Sequence, residues 1–269
     1  MKIAVFSDSH AYGGHSSWNA FFDKRAIGLL NYLYVRKHRH KQELLGKMVS
    51  KIIETKPDVV ICTGDVSTSG ELSEFDIACK YLKPLVENEN FDMFYVPGNH
   101  DCYVEDEKCL KALKETFSYL NRGKLKLEDM PKSLIIKGIS FCFVNVCKTS
   151  NLFLSTAVMS KQNSDYILRW AETETKMPKI LVDHYPLIEK HTFIRCRHRL
   201  YGEKEVLSAL KNKKIDLSVC GHVHHPTAKI DDRGRGEIVA GSITANRSFA
   251  LIEYSEKDDK FEYSKISVN

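Results

Sequence analysis

No apolar run in this 269-residue chain approaches the roughly 20 residues that a bilayer-crossing helix requires. The opening stretch, Met1-Lys2-Ile3-Ala4-Val5-Phe6-Ser7-Asp8, turns polar before the apolar region of a secretory signal can form, so a cytoplasmic location is expected. The eight cysteines stand singly at Cys62, Cys79, Cys102, Cys109, Cys142, Cys147, Cys196 and Cys220, without the paired CxxC spacing of structural zinc sites. Cys62, Cys142 and Cys220 fall inside apolar runs, where a thiol packs as a small hydrophobe, and all are read as reduced. No internal repeat, low-complexity tract or Pro/Gly/Ser-rich linker divides the chain, which predicts one domain over residues 1–269. An excess of one charge is also missing. With 40 basic against 35 acidic residues the net charge is +5, too little to argue for a duplex nucleic-acid partner.

Apolar material is ample. Hydrophobic residues make up 43% of the chain and charged residues 28%, a balance that builds a core and argues against disorder. Short β-branched runs recur at Ile3 to Phe6, Val59 to Cys62, Met93 to Val96, Ile180 to Val182 and Leu217 to Cys220, and these read as buried strands. Between them lie stretches of helical spacing, such as Leu44, Leu45, Met48, Val49, Ile52 and Ile53. Alternation of this kind predicts an α/β layered fold. Ser133 to Val146 reads as two strands joined near Gly138, and Glu237 to Val268 holds further strand-like runs, which together suggest a second, partly antiparallel sheet.

Every predicted strand ends in a potential ligand: Asp8-Ser9-His10, Gly64-Asp65, Gly98-Asn99-His100-Asp101, His184-Tyr185-Pro186 and Gly221-His222-Val223-His224. In open α/β sheets, sites form at the carboxyl ends of strands, so five distant segments are expected to converge. Their oxygen and imidazole donors suit Mn, Fe, Zn, Co or Ni better than calcium. In Asp8/His10 and His222/His224 the two ligands are two residues apart, which in extended chain sets both on one side of the backbone. The glycines before Asp65, Asn99 and His222 suit tight turns or close backbone approach beneath the ions.

The motifs D-x-H, G-D, G-N-H-[DE], a His before a Pro, and G-H-x-H occur here in order, from Asp8 to His224, each behind an apolar run. The pattern resembles the calcineurin-like metallophosphoesterases. That resemblance implies a four-layer α/β/β/α sandwich with two mixed sheets and a dinuclear metal site at the carboxyl ends of the strands. By it, Asp8, His10 and His224 would hold one ion, Asn99, His184 and His222 the other, and Asp65 would bridge them. Two such ions lie about 3.5 to 4 Å apart and lower the pKa of a shared water, the implied nucleophile. His100 would protonate or hydrogen-bond the leaving oxygen, and Asp101 would either orient His100 or hold its loop.

Other polar residues admit plainer readings. His225 is expected at the rim, its side chain facing away from His224. His15, after Gly13-Gly14, is placed in a loop over the site, where it touches substrate or is merely solvated. Arg195, Arg197, His198 and Arg199 form a basic cluster, read either as a solvated loop or as guanidinium groups gripping an anionic part of the substrate. The segment Ile27 to Lys41 runs from apolar residues into Arg36-Lys37-His38-Arg39-His40-Lys41. It reads as a core helix with a solvated basic end, or as an interfacial helix giving peripheral contact with the inner face of the membrane.

The functional expectation is a hydrolase, first a phosphodiesterase or pyrophosphatase acting on a small-molecule, nucleotide or lipid-linked phosphoester. A phosphomonoesterase and a catalytically silent binding or scaffold protein are the alternatives. The full ligand set weighs against the scaffold. Val66-Ser67-Thr68-Ser69-Gly70 after Gly64-Asp65 replaces the Asp-Arg-Gly continuation of protein serine/threonine phosphatases and weighs against that activity.

Overall fold

The computed structural model describes residues 1–13, 43–149, 155–174, 176–189 and 198–268. In chain order its larger elements are β1 (Lys2–Phe6), α1 (Glu43–Glu54), β2 (Val59–Cys62), α2 (Leu72–Val86), β3 (Asp92–Tyr95), α3 (Glu107–Leu120), β4 (Lys132–Ile136) and β5 (Ile139–Phe143). There follow β6 (Ala157–Val158), α4 (Lys161–Ala171), β7 (Lys179–Val182), β8 (Leu200–Tyr201), α5 (Lys204–Lys211) and β9 (Leu217–Cys220). The chain ends with β10 (Thr227–Ile230), β11 (Gly236–Val239), α6 (Ile243–Asn246), β12 (Ser248–Ser255) and β13 (Lys260–Ser267).

Two mixed sheets form the centre, in the orders β13-β12-β1-β2-β3 and β10-β11-β9-β7-β5-β4. Strands β1, β2 and β3 are parallel, as are β5, β7, β9 and β11, and all of β2, β7 and β9 is buried. Burial on both faces explains why these strands read as continuous apolar runs rather than alternating ones. The rings of Phe94 on β3 and Phe143 on β5 meet across the sheets with centroids 4.8 Å apart. Helix α3 packs on the first sheet through Phe117 against Tyr95, and α4 packs on the second through Trp170 Nε1, which donates to Ser140 Oγ at 2.8 Å. The layering is therefore α/β/β/α, as expected, with one apolar cluster running through both sheets.

Local signals account for the element ends. Helix α1 turns Leu44, Leu45, Met48, Val49 and Ile52 inward on one stripe. Asp106 caps α3 and Ser160 caps α4 through side-chain acceptance of backbone N–H groups. Lys137 and Gly138, with φ of 45° and 83°, make the two-residue turn of the β4–β5 hairpin. The tail departs from expectation, because only β11 joins the second sheet. Strand β12 returns antiparallel to β1, from Lys2↔Glu253 to Val5↔Ala250, and carries β13 with it into the first sheet.

Among the described residues no helix is long and apolar enough to cross a membrane. The seven described cysteines are free thiols, six of them buried. Cys196 and the segment Ile27 to Lys41, with its two readings, lie outside the described residues.

Candidate metal centre

Strand register brings the ligand loops together. Phe6 is paired with Cys62 and Cys62 with Tyr95, so β1, β2 and β3 end side by side and release Asp8, Asp65 and Asn99 at one edge. The amides of Asp8 and His10 donate to the carbonyls of Gly64 and Asp65, each at 2.9 Å. The amide of His222 donates to Asp8 Oδ2 at 3.1 Å, and that of Gly221 to the His184 carbonyl at 3.0 Å. Loops from both sheets are thus joined around one point.

The backbone reaches that point differently from expectation. Asp8, His10, Asp65, His222 and His224 all have positive φ, between 48° and 68°. The spacing-by-two pairs therefore do not lie on extended chain. Each turns left-handed at its ligand residues, a conformation that costs a non-glycine residue about 1 kcal/mol or more and that collects at functional sites. The buried hydroxyls of Ser242 and Thr244 hold the Asp8 carbonyl at 2.8 and 3.3 Å, supporting one of these turns. Sequence reading missed both residues, since an isolated Ser or Thr after a strand carries no distinctive signal. The glycine expectation holds. A Cβ at Gly98 would stand 2.1 Å from Asp65 Oδ1, and one at Gly221 would stand 1.9 Å from Ser7 Oγ.

Seven side chains form two corners sharing one carboxylate. In the first, Asp8 Oδ1 lies 3.1 Å from His224 Nε2 and 3.8 Å from His10 Nε2, and the two imidazole nitrogens are 3.0 Å apart. One ligand atom each from Asp8, His10, Asp65 and His224 falls within a 4.8 Å span. In the second, Asn99 Oδ1 lies 3.2 Å from His184 Nε2 and 2.9 Å from His222 Nδ1. Asp65 Oδ2 faces both, at 4.0 Å from His10 Nε2 and 3.4 Å from His184 Nε2. Separations near 3.0 to 3.4 Å are the edges of a coordination polyhedron with bonds of about 2.1 Å.

These residues fit ions. His10 Nδ1 faces the Ser67 carbonyl at 3.3 Å and His184 Nδ1 that of Thr63 at 2.6 Å. Such contacts fix the proton on Nδ1 and turn the Nε2 lone pair toward the centre. Asp8 Oδ1 is buried and, though His224 Nε2 is 3.1 Å away, makes no hydrogen bond of sound geometry, a need that a cation would satisfy. Burial raises the Asp8 pKa, yet the His224 ring beside it more than compensates and lowers it to about 2. Asp65, fully buried, is likewise held below the ordinary carboxylate value by His184 and His100. For His184 burial pulls the pKa down, but Asp65 and Asp8 push it up to about 10. The pocket thus keeps buried negative charge that calls for positive charge.

His100 stands beside the first corner. Its ring is 4.9 Å from that of His10 and stacks on Tyr103, while Nδ1 faces the Thr68 carbonyl at 2.6 Å, leaving Nε2 as its other polar atom. Asp101 contacts backbone and hydroxyls instead of the His100 ring. It accepts from the amides of Val66, Ser67 and Gly98 and from the hydroxyls of Ser67 and Tyr95, at 2.8 to 3.3 Å. Burial and the nearby Asp65 push its pKa up to about 6.

On the opposite flank the Tyr185 ring packs on His222 at 3.9 Å, and the His198 ring lies 5.4 Å from the same imidazole. Arg199 points elsewhere: its guanidinium sits over Tyr201 and lies 3.8 Å from Glu203, with the side chain 45% exposed. His225 is exposed, in keeping with a rim position. His15, Arg195 and Arg197 lie outside the described residues.

A two-sheet α/β fold with an Asp/Asn/His cluster at its strand ends, in which one carboxylate faces both corners, suits a dinuclear metal site. A family model described as calcineurin-like phosphoesterase matches residues 1–226, and the chain belongs to that family. It is 22% identical over 184 residues, 66% of its length, to a 3′,5′-cyclic-nucleotide phosphodiesterase of Nostoc sp., of which 60% is covered. It is 27% identical over 183 residues, 64% of its length, to a probable glycerophosphodiester phosphodiesterase of Arcobacter nitrofigilis, of which 58% is covered. The chain spans about three fifths of the length of the curated relatives it matches. Among solved structures, a dimetal phosphatase from Danio rerio superposes with a TM-score of 0.60 at 14% identity, covering 100% of this chain and 99% of the other, a likeness of fold.

Proposed function

We propose that the protein is a dinuclear metal-dependent phosphohydrolase acting on phosphodiesters or pyrophosphates. The single observation that carries this reading is the Asp65 carboxylate, whose Oδ2 faces imidazoles of both corners, 4.0 Å from His10 Nε2 and 3.4 Å from His184 Nε2. Asp8, His10 and His224 would hold one ion, Asn99, His184 and His222 the other, with Asp65 shared. Mn, Fe, Zn, Co and Ni all suit this donor set. Bound there, the ions supply Lewis acidity toward phosphoryl oxygens and a hydroxide nucleophile at neutral pH.

The chain's own contribution is placement and proton supply. His100, with Nδ1 on the Thr68 carbonyl, presents Nε2 to the leaving oxygen and supplies its proton. The amide of His100 donates to Asp65 Oδ1 at 2.7 Å, so the proton donor is positioned by the shared ligand. Asp101 acts through backbone: its hydrogen bonds to the Val66–Ser67 and Gly98 amides fix the two loops that carry Asp65, Asn99 and His100.

The diesterase preference draws on the phosphodiesterases among the relatives and fits a small-molecule, nucleotide or lipid-linked substrate. Phosphomonoester hydrolysis is the competing activity. We place the protein in the cytoplasm, read residues 1–269 as one domain, and retain His15, Arg195 and Arg197 as candidate substrate contacts. The test is turnover of bis-p-nitrophenyl phosphate against p-nitrophenyl phosphate after loading with Mn. Faster diester turnover supports the reading, faster monoester turnover replaces it with a monoesterase, and no turnover of either ester favours a binding role.

A further inference from the structure

We propose that His198 is a substrate-contacting residue that binds a phosphoryl oxygen remaining on phosphorus, at the Asn99–His184–His222 corner. This rests on the phosphohydrolase reading for the identity of the ligand and on geometry for its place.

His100 and His198 flank different corners. The ring of His100 lies 4.9 Å from His10, and the ring of His198 lies 5.4 Å from His222. Since Asn99, His184 and His222 already supply the donors of the second corner, His198 is an additional imidazole at its edge, within reach of what binds there. It is half-buried rather than enclosed, so a ligand can meet it. The leaving oxygen belongs to His100, and a group on the other flank meets an oxygen that does not leave.

The position is built. His198 stands two residues before β8, which is zipped to β6 by Ala157 N to the Arg199 carbonyl at 3.0 Å and Met159 N to the Tyr201 carbonyl at 2.8 Å. Gly202, with φ of 79°, turns the chain where a Cβ would stand 2.6 Å from the Met159 carbonyl. The small sheet is tied to the centre by Tyr185, whose hydroxyl donates to the Ser155 carbonyl at 2.7 Å and whose ring packs on His222. Tyr201 on β8 and its partner Val158 on β6 are exposed, while Leu200 and Ala157 are buried. The sheet therefore anchors His198 by its inner face. Of the two described residues of this basic cluster, His198 sets its ring 5.4 Å from that of His222, whereas the Arg199 guanidinium sits over Tyr201 and 3.8 Å from Glu203.

The experiment compares the Mn-loaded full chain with His198→Ala and His198→Asn, by metal analysis, by hydrolysis of aryl phosphodiesters graded in leaving-group pKa, and by calorimetric titration with orthophosphate. We expect two ions per chain in all three proteins. For His198→Ala, kcat/KM should fall about 10- to 100-fold by the same factor across the leaving groups, the loss of one hydrogen bond to a charged group. Orthophosphate affinity should fall with it, and Asn should restore part of both. Loss of metal, a defect that grows as the leaving group becomes poorer, or unchanged kinetics and orthophosphate affinity would each overturn the proposal. If the wild type hydrolyses no ester, the activity reading fails while the orthophosphate titration still decides the role of His198.

Discussion

Asp65 Oδ1 accepts the backbone N–H of His100 at 2.7 Å, while the other oxygen of the same carboxylate faces the imidazoles of His10 and His184. One side chain thus joins both ligand corners and fixes the loop of the candidate proton donor. Asp65→Asn should bind fewer than one ion per chain and lose at least about 100-fold in turnover, because a single change weakens both corners. Elemental analysis and ester hydrolysis on one preparation check this, and a fully loaded variant would contradict it.

His100→Asn should behave differently. The ring contacts the Thr68 carbonyl and Tyr103, and lies beside the first corner without belonging to it. Both ions should stay while turnover falls about 10²- to 10⁴-fold, most for the poorest leaving groups. Loss of metal in this variant would show that His100 has been given the wrong role.

Gly98→Ala should damage the centre without touching a ligand. The added Cβ would stand 2.1 Å from Asp65 Oδ1 and 2.4 Å from Asp65 N, so the bridging residue or the Gly98 loop must move. A destabilisation of about 1–3 kcal/mol in urea melts is expected, together with reduced metal content. Unchanged metal and stability would mean that the loop has slack that the contacts do not show.

A pH test away from the ligands uses Glu74 on α2. Its buried carboxylate accepts from the amides of Thr68 and Ser69, in the turn whose Thr68 carbonyl holds His100. Burial, the dominant influence, raises its pKa from 4.5 to about 7 despite those bonds. The folded state then keeps a proton between pH 4.5 and 7 that the unfolded chain has released. Stability from this group is therefore full below pH 4.5 and declines as pH rises through 7, by about 3 kcal/mol in all. Glu74→Gln keeps an acceptor for the amides and does not titrate. Its stability relative to wild type should rise across that window, and parallel curves would refute the assignment.

Much of the architecture was legible because the parallel strands are buried on both faces and so appear as unbroken apolar runs. The five short runs read as buried strands each ended within a residue of the expected boundary, as Val59 to Cys62 and Leu217 to Cys220 illustrate, whereas β5 stops at Phe143 instead of Val146. The five ligand motifs were readable because hard donors directly after such runs have few other reasons to be there. What escaped reading depends on long-range placement. Periodicity could not tell that β12 would pair with β1, some 245 residues earlier, rather than join the second sheet. Spacing suggested extended pairs at Asp8/His10 and His222/His224, but φ near 50° to 70° is imposed by hydrogen bonds between loops that are distant in sequence. Charge drew attention to Arg199, whereas the structure places the neighbouring His198 ring against His222.

The most direct test of the account is a crystal structure of the protein loaded with Mn, with the ions located by anomalous scattering. Two peaks about 3.5 to 4 Å apart, both within bonding distance of Asp65 and divided between the Asp8–His10–His224 and Asn99–His184–His222 corners, are predicted. A single peak, or two that do not share Asp65, would contradict the dinuclear centre on which the proposed chemistry depends.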